Sequence, residues 1–312
     1  TGADAYAELY KQLARLMIEI YRSKPTTYGG PWGMDADFNS TALITGWDVV
    51  EESPAFTEAE RLEITKIVAE YASYVANYGN TRAAAQPGIR HNHNTFPNLG
   101  TYFAAEYFGK YYQAAEAERW LANADACFQA QIQSFKPQED ANGYQWLTMQ
   151  HVFRYALARP DHKIFTNGNA RAILDLSIVT MDNMGWQSPF GDVGGIRGTG
   201  SQVPLLAMGA WYYRDASYCW ALQKMMPVLE TLPGRSEYAI SKPAPVSPSS
   251  FFGARVFPIS EAFFDYWSSR ATVRGAKPWV ASLSEAFEKA TFRAGFDEQS
   301  PYLLLDGIGC GG

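Results

Sequence analysis

Half of the chain's four histidines fall within three residues, in the run Arg90-His91-Asn92-His93-Asn94-Thr95. Imidazole and carboxamide groups this dense can bind an anion, and a histidine can also move a proton near neutral pH. The run sits between helical stretches, so backbone N–H groups and a helix dipole favour a negative ligand there. A metal would need a third ligand, and His91 and His93 at i, i+2 are no helix-face pair. Capping of the next helix by Asn and His is the competing structural use. Arg90, His91, Asn92, His93 and Asn94 are therefore catalytic or substrate-binding candidates.

A second cluster is Glu139-Asp140-Ala141-Asn142-Gly143-Tyr144-Gln145-Trp146, followed by Gln150, His151, Arg154 and Tyr155 on one helix. A tyrosine at the mouth of a helix can donate a proton to a leaving group, or act as a base beside cations. The third is Ser188-Pro189-Phe190-Gly191-Asp192-Val193-Gly194-Gly195-Ile196-Arg197-Gly198, too irregular in its glycines for a dinucleotide fingerprint. As a cleft loop it would use Asp192 to fix its turn and Arg197 to reach a carboxylate or sulfate. Trp146 and Trp186 suit stacking on sugar faces. No GxSxG, HExxH, CxxC or phosphate-loop pattern occurs, which disfavours serine hydrolase, metalloprotease and kinase chemistry.

Elements that could hold these residues follow from periodicity. Ile64, Ile67, Val68, Tyr71, Tyr74, Val75 and Tyr78 keep the i, i+3, i+4, i+7 spacing of one buried stripe. Thr57 with Glu60 predicts a capping box at its start. A first helix over about 4–22 would turn Tyr6, Leu9, Leu13, Leu16, Met17 and Ile20 inward. Further helices are predicted over about 41–52, 97–109, 112–135, 144–158, 168–183, 202–213, 215–230, 259–270 and 279–290. Glycine- or proline-rich connections at Thr26–Gly33, Ser188–Gly200 and Pro233–Pro258 are long enough to be binding loops. Short apolar runs at Ala290–Phe296 and Tyr302–Asp306 read as strands.

Composition excludes several classes. With 312 residues, 47% of them hydrophobic and 15% aromatic, the chain has ample material for a core and is not disordered over most of its length. The longest apolar run, about Val203–Tyr213, falls short of the roughly 20 residues a membrane span needs. The net charge of −6 lies wholly in residues 1–80, and no basic cluster marks a nucleic-acid face. Cys127, Cys219 and Cys310 give neither a disulfide framework nor a zinc spacing, and read as small buried hydrophobes.

Several segments taken in order resemble the heparinase II/III-like and alginate-lyase-like polysaccharide lyases. They are Asn92-His93 opening a helix, Tyr144 about fifty residues on, the Pro-x-Gly-Asp turn at Pro189–Asp192, and Lys289-Ala-Thr-Phe-Arg293 with Tyr302-Leu-Leu-Leu-Asp306-Gly ahead of Gly311-Gly312. The resemblance covers roughly residues 90–312. It implies an all-α fold, an incomplete (α/α)6-type toroid over 1–290, with a short β stub over 291–312 leading to a β-sandwich that lies beyond this sequence. It also implies eliminative cleavage of a uronic-acid polysaccharide of alginate or glycosaminoglycan type.

In that chemistry an amide neutralises the uronate carboxylate, a base removes the C5 proton and an acid protonates the departing O4. The resemblance gives the first role to Asn92, with His93 as helper or base, and the acid role to Tyr144. Tyr155 is a rival acid; His151, Tyr144 itself and a histidine beyond Gly312 are rival bases. Arg90, His91, Asn94, Trp146, His151, Arg154, Tyr155, Trp186, Asp192 and Arg197 would bind substrate. The expected partner is an acidic polysaccharide, with no nucleic acid and no membrane span, and the helical domain is expected to pack on its own β-sandwich. No metal or other cofactor is evident in these residues; a divalent ion in the β domain is compatible with the family. The implied location is periplasmic or secreted, with any signal peptide outside this sequence.

Two other readings remain open. A glycoside hydrolase on the same toroid would need two carboxylates roughly 5–9.5 Å apart, drawn from Asp35, Asp37, Asp48, Asp140 and Asp192. A non-catalytic carbohydrate-binding toroid would need none.

Overall fold

The computed structural model describes residues 2–23, 36–84, 87–191, 201–229, 244–269 and 282–308. Among them the fold is mainly α, with twelve α-helices and one three-stranded sheet. The chain divides into two compact units, one of residues 1–87 and 93–129, the other of residues 88–92 and 130–312.

The first unit holds α1 (Gly2–Ser23), α2 (Ala36–Val50), α3 (Glu58–Ala76), α4 (Gly79–Ala83) and most of α5 (Asn92–Tyr112) and α6 (Ala117–Gln131). α3 starts where the sequence predicts, with both halves of the Thr57–Glu60 capping box formed. Its apolar stripe is buried at Ile64, Ile67, Val68, Tyr71 and Val75. Trp47 of α2 lies at the centre of this core, edge-on to Phe56 at 5.3 Å, with its indole N–H donated to Thr65 Oγ1 at 3.1 Å.

The inward face predicted for α1 is corrected. Tyr6, Leu9, Leu13, Leu16 and Ile20 are exposed, whereas Ala7, Ala14 and Ile18 are buried, with Tyr10 and Met17 packed beside them. α1 carries two apolar stripes, and contact with α2 and α3 selects the one lined by small residues, which lets the backbones approach. Tyr10 Oη donates to Leu43 O at 2.8 Å and Lys11 Nζ to Ala55 O at 2.7 Å, fixing that rotation.

The second unit holds α7 (Tyr144–Ala158), α8 (Lys163–Thr166), α9 (Asn169–Val179), α10 (Gln202–Tyr213), α11 (Ala216–Leu229), β1 (Gly253–Pro258), α12 (Glu261–Ser268), β2 (Phe287–Arg293) and β3 (Tyr302–Asp306). α10 packs on α7, α9 and α11. Gly209 permits the close approach of α9, because a Cβ there would meet Leu174 Cδ1 at 2.3 Å. The strands run antiparallel in the order β1-β2-β3, with Val256 opposite Ala290 and Ala290 opposite Leu305.

Two element predictions fail here. The helix expected over 279–290 is absent from its described part, which turns at Ser282–Glu285 and enters β2 at Phe287. β1 lies in a stretch read as a loop. The domain boundary expected at 290/291 falls inside β2, and β1 precedes it, so the sheet is not confined to residues 291–312. Arg293 anchors β2 within its unit. Its guanidinium is donated to Met181 O at 2.6 Å, Ile178 O at 3.3 Å and Asn183 Oδ1, capping carbonyls at the end of α9.

Candidate functional site

Parts of the three clusters singled out in the sequence, residues 90–92, 139–144 and 190–191, meet within the second unit. The backbone N–H of Gln138 donates to Arg90 O at 2.8 Å, and its side-chain amide donates to Ile89 O. Asn92 N–H donates to Glu139 Oε2 at 3.1 Å, a carboxylate at the N-terminus of α5. Arg90 N–H donates to Gln131 Oε1 at 2.7 Å. Four residues beyond Gln138, Asn142 N–H donates to Phe190 O at 3.0 Å. Gly191, at φ +69°, lies so close that a Cβ there would come within 2.1 Å of Asp140 O. Segments 88–92, 138–144 and 190–191 are thereby laced together.

Tyr144 is the first residue of α7 and is half-buried; Gly143 precedes it at φ +115°. The chain enters this helix from a buried ionic network that the sequence reading missed. Lys136 Nζ donates to Asp140 Oδ1 at 2.6 Å, to Gln145 Oε1 at 2.7 Å and to Glu288 Oε1. Lys289 Nζ donates to Asp306 Oδ1 at 2.9 Å and Asp140 Oδ1 at 3.2 Å, and lies 3.4 Å from Glu288 Oε1. Lys136 and Lys289 also sit over the rings of Phe263 and Phe190, at 5.4 and 4.5 Å.

Burial pushes the Glu288 carboxyl up, against the opposing pull of Lys136 and Lys289. Burial works against the charge on Lys289, but Glu288, Asp140 and Asp306 outweigh it and hold that ammonium above its ordinary range. The network fixes both sides of Tyr144, because Asp140 and Gln145 flank it in sequence. Lys289 and Asp306 belong to the segments that carry the family resemblance. Lys136 and Glu288 gave no signal, since their partners are 4 to 152 residues away in the chain.

In the first unit, His93 follows Asn92 in the opening turn of α5. Its Nδ1 lies 3.0 Å from Asp37 Oδ2, and Phe38 meets the imidazole edge-on at 5.0 Å. Asp37 was weighed in the sequence as a hydrolase carboxylate; the structure puts it against a histidine instead. Asn94 serves the fold, with its amide donated to Asn80 O at 3.0 Å and its carbonyl accepting from Asn98 Nδ2 at 2.8 Å.

Other expected substrate residues are corrected by burial. Trp146 is 0% exposed and donates its indole N–H to Asn142 Oδ1 at 3.0 Å, so it is core and has no face for a sugar. Tyr155, at 1% exposure, is equally enclosed, and Asn92 and Arg90, at 1% and 4%, are also buried, so none of these three side chains is open to a substrate in this structure. His151 is buried, and desolvation, aided by the charge of Arg154, lowers its pKa to about 3. A base that weak holds no abstracted proton at neutral pH. His91 and Arg154 are half-buried. Trp186 is also half-buried, in a turn where Asp182 Oδ1 accepts its backbone N–H at 2.8 Å. Asp192, Arg197 and Asp35 lie outside the described residues.

Among the hydrolase carboxylates that are described, Asp140 is bound by lysines, Asp37 by His93, and Asp48 is exposed. Cys127 and Cys219 are buried, as the sequence predicts for small apolar side chains. Among the described residues no group of three His, Cys, Asp or Glu is placed to hold a metal, and no helix is long and apolar enough to cross a membrane. No family model, curated protein or solved structure matches the chain.

Proposed function

We propose that this chain is the helical part of a carbon–oxygen lyase acting on polysaccharides, and in particular one that cleaves a uronic-acid-containing polymer by β-elimination. The observation that carries the reading is the lacing of segments 88–92, 138–144 and 190–191 in the second unit. These are the segments whose residues resemble the lyase motifs. In the proposed reaction the Asn92 amide, buried in this structure, is uncovered as substrate enters, neutralises the uronate carboxylate and so acidifies C5. A base takes the C5 proton, the C5–H electron pair becomes the C4=C5 bond, and the C4–O4 bond breaks with its pair going to O4. Tyr144 protonates O4, and His93, next to Asn92 in the chain, is the base.

The family resemblance extends this reading to a toroid that packs on a β-sandwich and to action outside the cytoplasm. The setting of Tyr144 supports the acid role, since the residue is only half-buried while α7 fixes its backbone. The test is to incubate the full-length protein with alginate, heparan, chondroitin and hyaluronan and follow the ultraviolet absorbance of the unsaturated uronate. Absorbance is expected to rise with one of these. Tyr144→Phe is expected to lower kcat by about 10²–10⁴. Chain cleavage without absorbance would mean hydrolysis and would overturn the proposal.

A further inference from the structure

Asp37 and His93 bring a buried carboxylate against a partly exposed imidazole. The Asp37 side chain is 2% exposed and that of His93 44%. Asp37 sits in the first turn of α2, where helix N-termini favour a carboxylate, and its Oδ1 accepts from Phe38 N–H at 3.0 Å. That leaves Oδ2 for the ring nitrogen at 3.0 Å. Phe38 then closes one edge of the imidazole, and Phe96 packs on Phe38 at 4.6 Å. A surface ion pair made for stability would expose both partners and hold neither ring nor carboxylate in a fixed orientation.

We propose that Asp37 is a positioning residue for His93, holding the imidazole in the tautomer with its proton on Nδ1 and its lone pair on Nε2. A carboxylate only accepts hydrogen bonds, so the nitrogen facing it must be the protonated one. Tyr71 of α3 and Tyr78 ahead of α4 are titratable groups coupled to this carboxylate. Burial first, and then the Asp37 charge, pushes Tyr71 and Tyr78 up, so both keep their protons and add no charge of their own. Asp37, 3.0 Å from Nδ1, is a partner charge that answers a proton arriving on His93.

The consequence for catalysis rests on the lyase reading given above. When Nε2 takes the C5 proton, the ring becomes an imidazolium with N–H on both nitrogens. The Nδ1–H···Oδ2 contact then becomes a hydrogen bond between opposite charges, strongest as proton transfer proceeds. Asp37 would thus lower the barrier without touching substrate.

The experiment reads the tautomer directly by ¹⁵N NMR of histidine-labelled full chain, with His93→Gln assigning the signal among four histidines. The expected wild-type signal has a protonated Nδ1 and an unprotonated Nε2, and Asp37→Asn shifts the population toward Nε2–H. With the uronate polymer that the absorbance screen identifies, Asp37→Asn is expected to lower kcat by about 10²–10⁴ with KM little changed. Asp37→Glu, which keeps the acceptor, is expected to recover part of the loss. A wild-type ring protonated on Nε2, or a tautomer and kcat unmoved by Asp37→Asn, would overturn the inference and leave the lyase reading standing. The expected tautomer in a protein that cleaves no uronate polymer would support the positioning role and remove the lyase reading.

Discussion

Burial decides what His151 can contribute. Its pKa is about 3 in the fold against an ordinary 6.5, chiefly through desolvation. The folded state therefore refuses a proton that the unfolded chain accepts as pH falls below about 6.5, and stability drains over the window from 6.5 down to about 3. The loss attributable to His151 between pH 7 and pH 4.5 is about 2–3 kcal/mol. His151→Gln is expected to remove that part of the slope, seen as a smaller separation of urea midpoints at the two pH values than in the wild type. An equal separation in both proteins would show that His151 is protonated in the fold. Trp146 teaches the same lesson about residue type. A tryptophan near a polar cluster suits a sugar face, but its indole N–H finds Asn142 four residues back, and that i, i+4 bond turns the ring into the core.

At the scale of elements, the turn at Phe190–Gly191 is the contact most sensitive to a single methyl group. Gly191→Ala combines a positive φ with a Cβ placed 2.1 Å from Asp140 O, whereas Gly168 has φ +93° and open space around it. Gly168→Ala is expected to cost about 1 kcal/mol, the backbone strain alone, and Gly191→Ala at least about 2 kcal/mol more, measured by urea denaturation. Equal costs would mean that the 190 turn does not press on the segment leading to Tyr144. Long periodic elements were legible before any coordinates: α3 with its capping box, α7 and α10 lie where spacing puts them, and β3 matches its apolar run. β1 was not legible, because its exposed residues show no alternation and its pairing is supplied by β2 more than thirty residues later. Ser284-Glu285-Ala286-Phe287-Glu288-Lys289-Ala290 reads locally as helix, yet pairing on both sides makes β2 of its second half, a case of neighbours overriding propensity. Within the site, the clusters were legible as polar runs, but their lacing through Gln138 and Glu139 was not. The Asp37 contact with His93 joins residues 56 positions apart and left no local signature.

On the scale of the whole chain, the five charges of Lys136, Asp140, Glu288, Lys289 and Asp306 draw both ends of the second unit onto one buried point. Removing one partner strands the others in a poor solvent for charge. Lys136→Met is therefore expected to destabilise by about 3–5 kcal/mol, and Glu288→Gln by a smaller amount because the neutral amide still accepts from Lys136. Lys136→Met combined with Glu288→Leu should cost clearly less than the sum of its single changes, as a double-mutant cycle in urea would measure. Strict additivity would show that the two charges do not communicate. The same network sets an order in time. On the ribosome Lys136 and Asp140 emerge about 150 residues before Glu288 and Lys289, a wait of about 8–30 s at ordinary rates of synthesis. Until then the ammonium and carboxylate at the mouth of α7 have each other and water, and water must stay. The interior of the second unit can dry only after β2 has been made, so its helices are synthesised early and sealed late.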